Sequence, residues 1–329
     1  MRPSEFDLIG RYFAPLSAGF PGAVNLQDDL ATVSPAAGYE LAVTVDAMVA
    51  GVHFLPADPP DLVARKLLRV NLSDLAASGA RPLCYLLAIS LDSSLDEDWV
   101  RIFADGLAHD QKQFGISLAG GDTTATPGPL TLSLTAIGEI PSGRAIRRSG
   151  AVVGDDIWLS GTVGDAALAL TLMEHDGTAV LENDYPRLLA RYRLPEPRTL
   201  LGPALIGVAT AMADVSDGLL ADLGHISDGS GTGARIIYAN LPLSEAATAL
   251  FERTPAKKEA YVQRVLTGGD DYELLFTAAP AASGEIERSG MQCGTRVTRI
   301  GQVEEAPGVR AVASDGTEIA VTAGGWRHF

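Results

Sequence analysis

Seven aspartates stand where a solvated carboxylate is not expected. Asp28 and Asp29 precede Leu30, Asp46 ends the apolar run ELAVTVD, and Asp74 interrupts VNLSDLAASGA. Asp122 follows paired glycines in LAGGDTT, and Asp214 and Asp217 lie in MADVSDGLL. Carboxylates gathered in apolar surroundings repel one another and take up protons unless cations bind them. Oxygen donors without His or Cys suit magnesium rather than zinc. Each aspartate taken singly also reads as a cap or turn residue, Asp217 before Gly218, Leu219 and Leu220 most of all. Asp74 resists that reading. With Asn71 it lies at i and i+3 on one face of a helix otherwise rich in Leu, Val and Ala, and its charge needs a partner.

Phosphate chemistry is suggested by Leu118 to Thr124, LAGGDTT, which follows a short apolar strand. The glycines let backbone amides approach a phosphate, Asp122 offers a metal ligand, and the threonines donate hydrogen bonds; the plain alternative is a hairpin turn. Gly268, Gly269, Asp270, Asp271 and Tyr272 repeat the pattern of two glycines then acid, just before a strand. Arg144, Arg147 and Arg148 in GRAIRRSG either grip phosphate oxygens bidentately or neutralise an acidic surface. His53 in AGVHF, judged singly, reads as a packed or turn histidine. None of Lys66, Lys112, Lys257 and Lys258 belongs to a P-loop. The G-x-G-x-x-A from Gly229 to Ala234 follows a helix and leads into a strand, the reverse of a dinucleotide site.

The elements that must position these groups follow from periodicity. Ser4 with Asp7 starts a helix whose apolar side is Phe6, Leu8, Ile9 and Phe13. Residues 40–46 alternate as a strand, with Leu41, Val43 and Val45 on one face and Thr44 and Asp46 on the other. A helix over 61–78 closes at Gly79; a strand at 84–90, a helix at 96–114 and strands at 116–119 and 130–139 complete a β-α-β-α-β first half. The stretch 141–156, rich in Gly, Ser and charge, marks a domain junction. Beyond it the pattern predicts a strand at 157–161 and helices at 165–174, 184–192 and 203–211. A DVSDG turn then enters a helix at 218–228, followed by a strand at 234–240, a helical region to Leu266 and strands that include 272–277.

The 329 residues, 47% hydrophobic, suffice for two domains. A net charge of -16 makes nucleic acid a poor partner, whereas a phosphorylated small molecule is acceptable if divalent cations stand between it and the carboxylates. The start MRPSEFD lacks the basic and apolar regions of a signal peptide, and no apolar stretch reaches membrane-spanning length, so a cytoplasmic protein is expected. Cys84 and Cys293, the two cysteines, read as reduced, buried thiols.

Taken in order, QDDLA, TVDAMVAGVHF, VNLSDLAASGARP, LAGGDTT, RRSGAVVGDD, DVSDGLLADLGHI, GGDDYELLF and the closing GWRHF resemble the thiamine-monophosphate kinase family. That family lies in the larger group containing aminoimidazole ribonucleotide synthetase and selenophosphate synthetase. The resemblance implies an α/β (α+β) fold of two aminoimidazole ribonucleotide synthetase-like domains. Residues 1–145 would bind ATP and magnesium and pair their sheet with that of a second subunit in a homodimer, and residues 146–329 would form a C-terminal α/β domain packed beside the first. It implies ATP and thiamine monophosphate as substrates and a cluster of several magnesium ions on Asp29 with Asp28 beside it, Thr44, Asp46, Asp74, Asp122, Asp214 and Asp217. ATP contacts would fall to Gly121, Asp122, Arg148 and Ser216, and acceptor contacts to His53, Asp270 and Trp326. Gln27, Asp270 and Trp326 depart from the Gly, Glu and Tyr more usual in the family.

The implied chemistry is in-line transfer from ATP to a phosphate oxygen. That oxygen is already largely ionised near neutral pH, so neither a strong base nor a covalent nucleophile is required. Two other readings stay open: a different ATP-dependent synthetase of the larger group, and a non-catalytic nucleotide-binding scaffold. The reactive Cys or selenocysteine usual near the start of selenophosphate synthetase has no counterpart here.

Overall fold

A computed structural model describes residues 3–321 and Gly325. The described chain divides into two compact units: residues up to Leu75 with Ala80–Gly143, and Ala76–Gly79 with Arg144 onward. Among the described residues no helix is long and apolar enough to cross a membrane.

The first unit runs α1 (Glu5–Leu8), β1 (Tyr39–Val49), α2 (Pro60–Ala77), β2 (Arg81–Asp92), α3 (Glu97–Phe114), β3 (Ser117–Thr126) and β4 (Thr131–Pro141); the last turn of α2 belongs to the second unit. Ser4 caps α1 by accepting from Asp7 N, but the helix passes into a wider π turn at Ile9–Phe13 and a 3-10 turn at Ala14–Ser17, and of its expected apolar side Phe6 is exposed while Leu8 and Phe13 are buried. Asp96 caps α3 through Trp99 N at 2.9 Å, and Gly115, left-handed at φ 68°, ends it.

The strands order as β1-β4-β2-β3, with β2 and β3 parallel across the α3 crossover and the other pairs antiparallel. One face lies under the helices. Tyr85 of β2 receives a hydrogen bond from Gln111 of α3 at 2.9 Å, and Leu87, Ile89, Leu132 and Leu134 are buried on that side. The opposite face carries Leu41, Val43 and Val45, exposed to 37, 63 and 60%, in register with Glu139, Ile137 and Thr135. The apolar side of β1 therefore faces outward, and its polar side, Thr44 and Asp46, faces α2.

α2 and α3 meet closely: a Cβ on Gly106 would lie 2.5 Å from the Asp61 carbonyl oxygen. Between them Asp110, fully buried, accepts from Arg69 Nε at 2.5 Å and Arg65 Nε at 2.9 Å. Burial pushes its carboxyl up, but the Arg69 hydrogen bond and charge, with His109 and Arg65, outweigh this and hold it below the usual range. A depressed folded value means that this stabilisation is complete above the unfolded value near about 3.9 and is lost as pH falls through the folded one. Asp110→Asn is accordingly expected to cost about 3 kcal/mol at neutral pH, leaving the buried Arg69 and the partly buried Arg65 undercompensated. The gap from the parent should narrow below about pH 4, as thermal melts across pH will check.

The second unit contains β5 (Asp156–Ser160), α4 (Asp165–Asp176), α5 (Thr178–Asp184), α6 (Pro186–Arg193), α7 (Leu201–Ala204), β6 (Ala211–Asp214), α8 (Leu219–Ser230) and β7 (Gly233–Ile237). It continues through α9 (Glu245–Arg253), α10 (Lys258–Thr267), β8 (Leu274–Ala278), α11 (Ser283–Gln292), β9 (Val297–Glu304) and β10 (Gly308–Val312). Its sheet orders as β10-β7-β9-β5-β8-β6, antiparallel except for β10 with β7. The expected helix at 203–211 is replaced by the single turn of α7 and the entry to β6: Gly207 at φ 83° breaks the path. Both cysteines are free thiols, Cys84 buried and Cys293 partly so.

Candidate active site

The residues singled out from sequence fall into separate groups. The first surrounds a cavity of about 520 Å³ against β3, walled by apolar side chains that include Phe13, Leu26, Leu30 and Leu118, with Asp28, Asp29 and Asp122 among its lining residues. Its size suits a nucleotide-scale ligand. The GGDTT segment is no turn: β3 runs through it to Thr126. Glycine is needed in this strand because a Cβ at Gly121 would lie 1.9 Å from the Leu87 carbonyl oxygen. Asp122 pairs with Ala88 and stands exposed on the open face.

Leading into Asp28 and Asp29, Val24, Asn25 and Leu26 are left-handed at φ 50, 53 and 57°. Gln27, where the family more usually has glycine, has φ -100°, open to any residue. The unusual conformation thus sits before Gln27 rather than at it. Asp28 Oδ1 accepts from Asp29 N at 2.8 Å.

The second group joins β1 to α2. Thr44 Oγ1 donates to Asp74 Oδ2 at 2.6 Å, and Asp46 N donates to Asn71 Oδ1 at 3.1 Å. Asn71 in turn donates to the Leu67 carbonyl at 2.9 Å, which fixes its amide orientation. Asp74 therefore has the partner its position demanded, and the strand's polar face meets the helix's polar stripe. Nearby in sequence, His53 Nδ1 accepts from Val49 N at 3.0 Å, which places the imidazole proton of the neutral ring on Nε2. The His53 carbonyl receives Lys66 Nζ at 3.1 Å.

The first and second groups sit on opposite edges of the sheet, three strand spacings or about 14 Å apart. Their faces differ too. Register carries Asp122 through Ala88 and Ser133 to Ala47, the side opposite Asp46. Magnesium holds its ligands at about 2.1 Å, so one copy cannot place both groups on a single ion.

The third group belongs to the second unit. Asp214 ends β6 and is buried; the following loop zips to Asp270–Glu273 through Asp270 N to Ser216 O at 2.9 Å, Tyr272 N to Val215 O at 2.8 Å and Val215 N to Glu273 O at 2.9 Å. Asp217 does not cap α8, whose N-cap is Gly218 without a side-chain bond. The bond runs the other way. Asp222 reaches back so that its Oδ2 accepts from Ser216, Asp217 and Gly218 amides at 3.0, 3.1 and 3.1 Å. Burial, then the neighbouring Asp217 charge, pushes the Asp222 carboxyl up to about 7. Asp222 and His225 were not foreseen. Both offer a ligand atom within 4.8 Å of Asp217, and their spacing after SDGL, i+5 and i+8, was the signal available. Arg148 is exposed beside the end of α8, where the Gly150 and Ala151 amides donate to Ser230 Oγ. Trp326 lies outside the described residues.

Comparison with known proteins places these groups in one family. The model for AIR synthase related protein, N-terminal domain, matches residues 27–140, and that for AIR synthase related protein, C-terminal domain, matches 152–314. Thiamine-monophosphate kinase of Caulobacter vibrioides is 44% identical over 99% of this chain and 91% of its own length. The chain belongs to the thiamine-monophosphate kinase family. Thiamine-monophosphate kinase from Stenotrophomonas maltophilia superposes with a TM-score of 0.83 at 41% identity, covering 93% of this chain and 97% of that one. AaThiL, solved in complex with AMPPCP and TMP, superposes with a TM-score of 0.76 at 31% identity, covering 100 and 99%. Within this family frame, the first matched stretch holds Asp28, Asp29, Thr44, Asp46, His53, Asp74, Gly121 and Asp122, and the second holds Asp214, Ser216, Asp217 and Asp270; Arg148 falls between them.

Proposed function

We propose that the protein transfers the γ-phosphoryl group of ATP to thiamine monophosphate, giving thiamine diphosphate and ADP. The observation that carries this is full-length kinship with thiamine-monophosphate kinases, one of them solved with AMPPCP and TMP. Release of ADP that depends on thiamine monophosphate, and not on free thiamine, tests it.

In this reading the apolar cavity of the first unit takes the nucleoside, and Gly121 lets phosphate approach the backbone. Asp28, Asp29, Thr44, Asp46, Asp74 and Asp122 of the first unit, with Asp214 and Asp217 of the second, would hold magnesium. Their carboxylate and hydroxyl oxygens fit a hard cation, and Thr44 and Asn71 hold Asp74 and the Asp46 backbone in fixed positions. Magnesium, when bound, would offset the repulsion between the two reacting phosphates. Arg148 and Ser216 would add ATP contacts, while His53, Asp270 and Trp326 would recognise the acceptor. A carboxylate at Asp270 pairs with the thiazolium cation, and an indole at Trp326 stacks on it. No side chain need remove a proton, because the attacking phosphate oxygen is ionised near neutral pH.

A homodimer belongs to the same reading. The exposed row Leu41, Val43 and Val45 with Leu86 is an apolar patch of the kind that marks an interface. Val43→Asp is expected to give a folded monomer with little turnover, by light scattering and assay; a persistent dimer would remove this face from the interface.

A further inference from the structure

The loop between α10 and β8 has a conformation that its sequence alone does not favour. Asp270 at φ 69° and Tyr272 at φ 52° are both left-handed without being glycine, and such residues persist only where their surroundings hold them. The surroundings are unusual. Asp271, between the two, is buried, and its two carboxylate oxygens accept from Gly164 N at 2.9 and 2.8 Å. Glu273, fully buried, accepts from Arg198 Nε at 2.6 Å and Nη2 at 2.5 Å, from Arg191 Nη2 at 3.0 Å and from Ser160 Oγ at 2.5 Å.

Arg191 and Arg198 do different things. Both meet Glu196, Arg198 at 3.3 Å and Arg191 at 3.8 Å, but Arg198 directs its fork at Glu273 whereas Arg191 Nη2 donates as well to the Asp271 carbonyl at 3.0 Å. That carbonyl is the peptide oxygen between the two left-handed residues, so the Arg191 guanidinium ties the twisted backbone to a buried carboxylate. On the side-chain side, Tyr272 OH donates to Asp270 Oδ1 at 3.2 Å. The backbone and the carboxylate of Asp270 are thus each held by a separate contact.

We infer that Arg191 and Tyr272 are positioning residues for the acceptor: Arg191 sets the backbone from which Asp270 projects, and Tyr272 sets the rotation of its carboxylate. The inference rests on the reading of Asp270 as the carboxylate that pairs with the thiazolium cation. It explains why a residue shorter than the usual Glu can serve, because a shorter arm needs a fixed base. Both bonds leave the terminal Nη2, and a lysine at 191, one bond shorter, cannot bring its nitrogen to that position.

The test is steady-state kinetics on Arg191→Lys, Tyr272→Phe and Asp270→Asn, singly and combined, in the full chain. Misplacement of a binding group should raise KM for thiamine monophosphate about tenfold in Arg191→Lys and severalfold in Tyr272→Phe, with KM for ATP unchanged. Because both act through Asp270, neither should raise it further in the Asp270→Asn background. A purely structural role would instead lower the melting temperature and the amount of active enzyme with KM unaltered, and that result, or additive effects, would overturn the inference. Tyr272→Phe removes a single hydroxyl and keeps the test open if Arg191→Lys does not fold. Failure of the underlying reading registers differently, as absence of ADP release dependent on thiamine monophosphate by the unsubstituted chain, and would overturn both.

Discussion

Asp122→Asn and Asp74→Asn are each expected to lower kcat by at least about a hundredfold while leaving the melting temperature close to that of the parent. The two aspartates make the point in different ways. The Asp122 side chain is exposed and makes no hydrogen bond or ion pair among the described residues, so the fold loses little when its charge goes. Asp74 does serve the fold, accepting the Thr44 hydroxyl at 2.6 Å, but an asparagine carbonyl can accept the same bond. What neither amide can supply is a negative charge for a cation beside the reacting phosphates. Near-normal turnover in either variant, with folding intact by circular dichroism, would remove that residue from the metal-binding set.

Glu273→Ala should produce a different profile, a large loss of stability with kcat of the remaining folded protein near that of the parent and KM for thiamine monophosphate raised, because Arg191 loses its anchor. Its carboxylate neutralises Arg191 and Arg198 in the interior and accepts the Ser160 hydroxyl, whose oxygen accepts in turn from Leu274 N at 2.8 Å. Removing one member of such a network leaves buried charge uncompensated, at a cost of about 3–5 kcal/mol. The melting temperature should fall by roughly 10 °C. Nearby packing leaves no alternative arrangement: a Cβ at Gly161 would lie 2.0 Å from Glu273 Oε1, so the carboxylate fills the space a side chain would occupy. Glu273→Gln, which keeps the shape and loses the charge, should fall between the parent and the alanine variant. A Glu273→Ala protein as stable as the parent would show that the two arginines find other partners.

The local elements were legible where one residue type settles them. Asp96 and Gly115 bracket α3, and Gly79, left-handed at φ 79°, follows α2, close to where capping rules place such residues. The alternation in β1 was legible as a strand, but its outward-facing apolar side was not, because burial depends on what covers a sheet and not on the strand's own pattern. Paired glycines in LAGGDTT looked like a break in the chain. Their cause is a neighbour distant in sequence, the Leu87 carbonyl, which only the β2–β3 register brings against Gly121. The short buried strand β6 has no counterpart among the expected elements, the helix expected at 203–211 ending where it begins, since a run of four residues has no period of its own. For the site, residue types and the Thr44, Asp46 and Asp74 grouping could be anticipated from a strand facing a helix. The placing of Asp122 on the far edge could not, because strand order β1-β4-β2-β3 is a property of long-range pairing. Asp222 went unnoticed because its role, gathering three amides from the preceding loop, inverts the usual direction of a helix cap.

The central claim is direct phosphoryl transfer from ATP to thiamine monophosphate, and its most direct test is isotopic. Purified protein would be incubated with magnesium, thiamine monophosphate and ATP fully labelled with oxygen-18 on the γ-phosphoryl group, and the thiamine product examined by mass spectrometry. The predicted product is thiamine diphosphate whose terminal phosphate carries the transferred label, with the bridging oxygen supplied unlabelled by the acceptor. Labelled inorganic phosphate beside unchanged thiamine monophosphate would contradict the account.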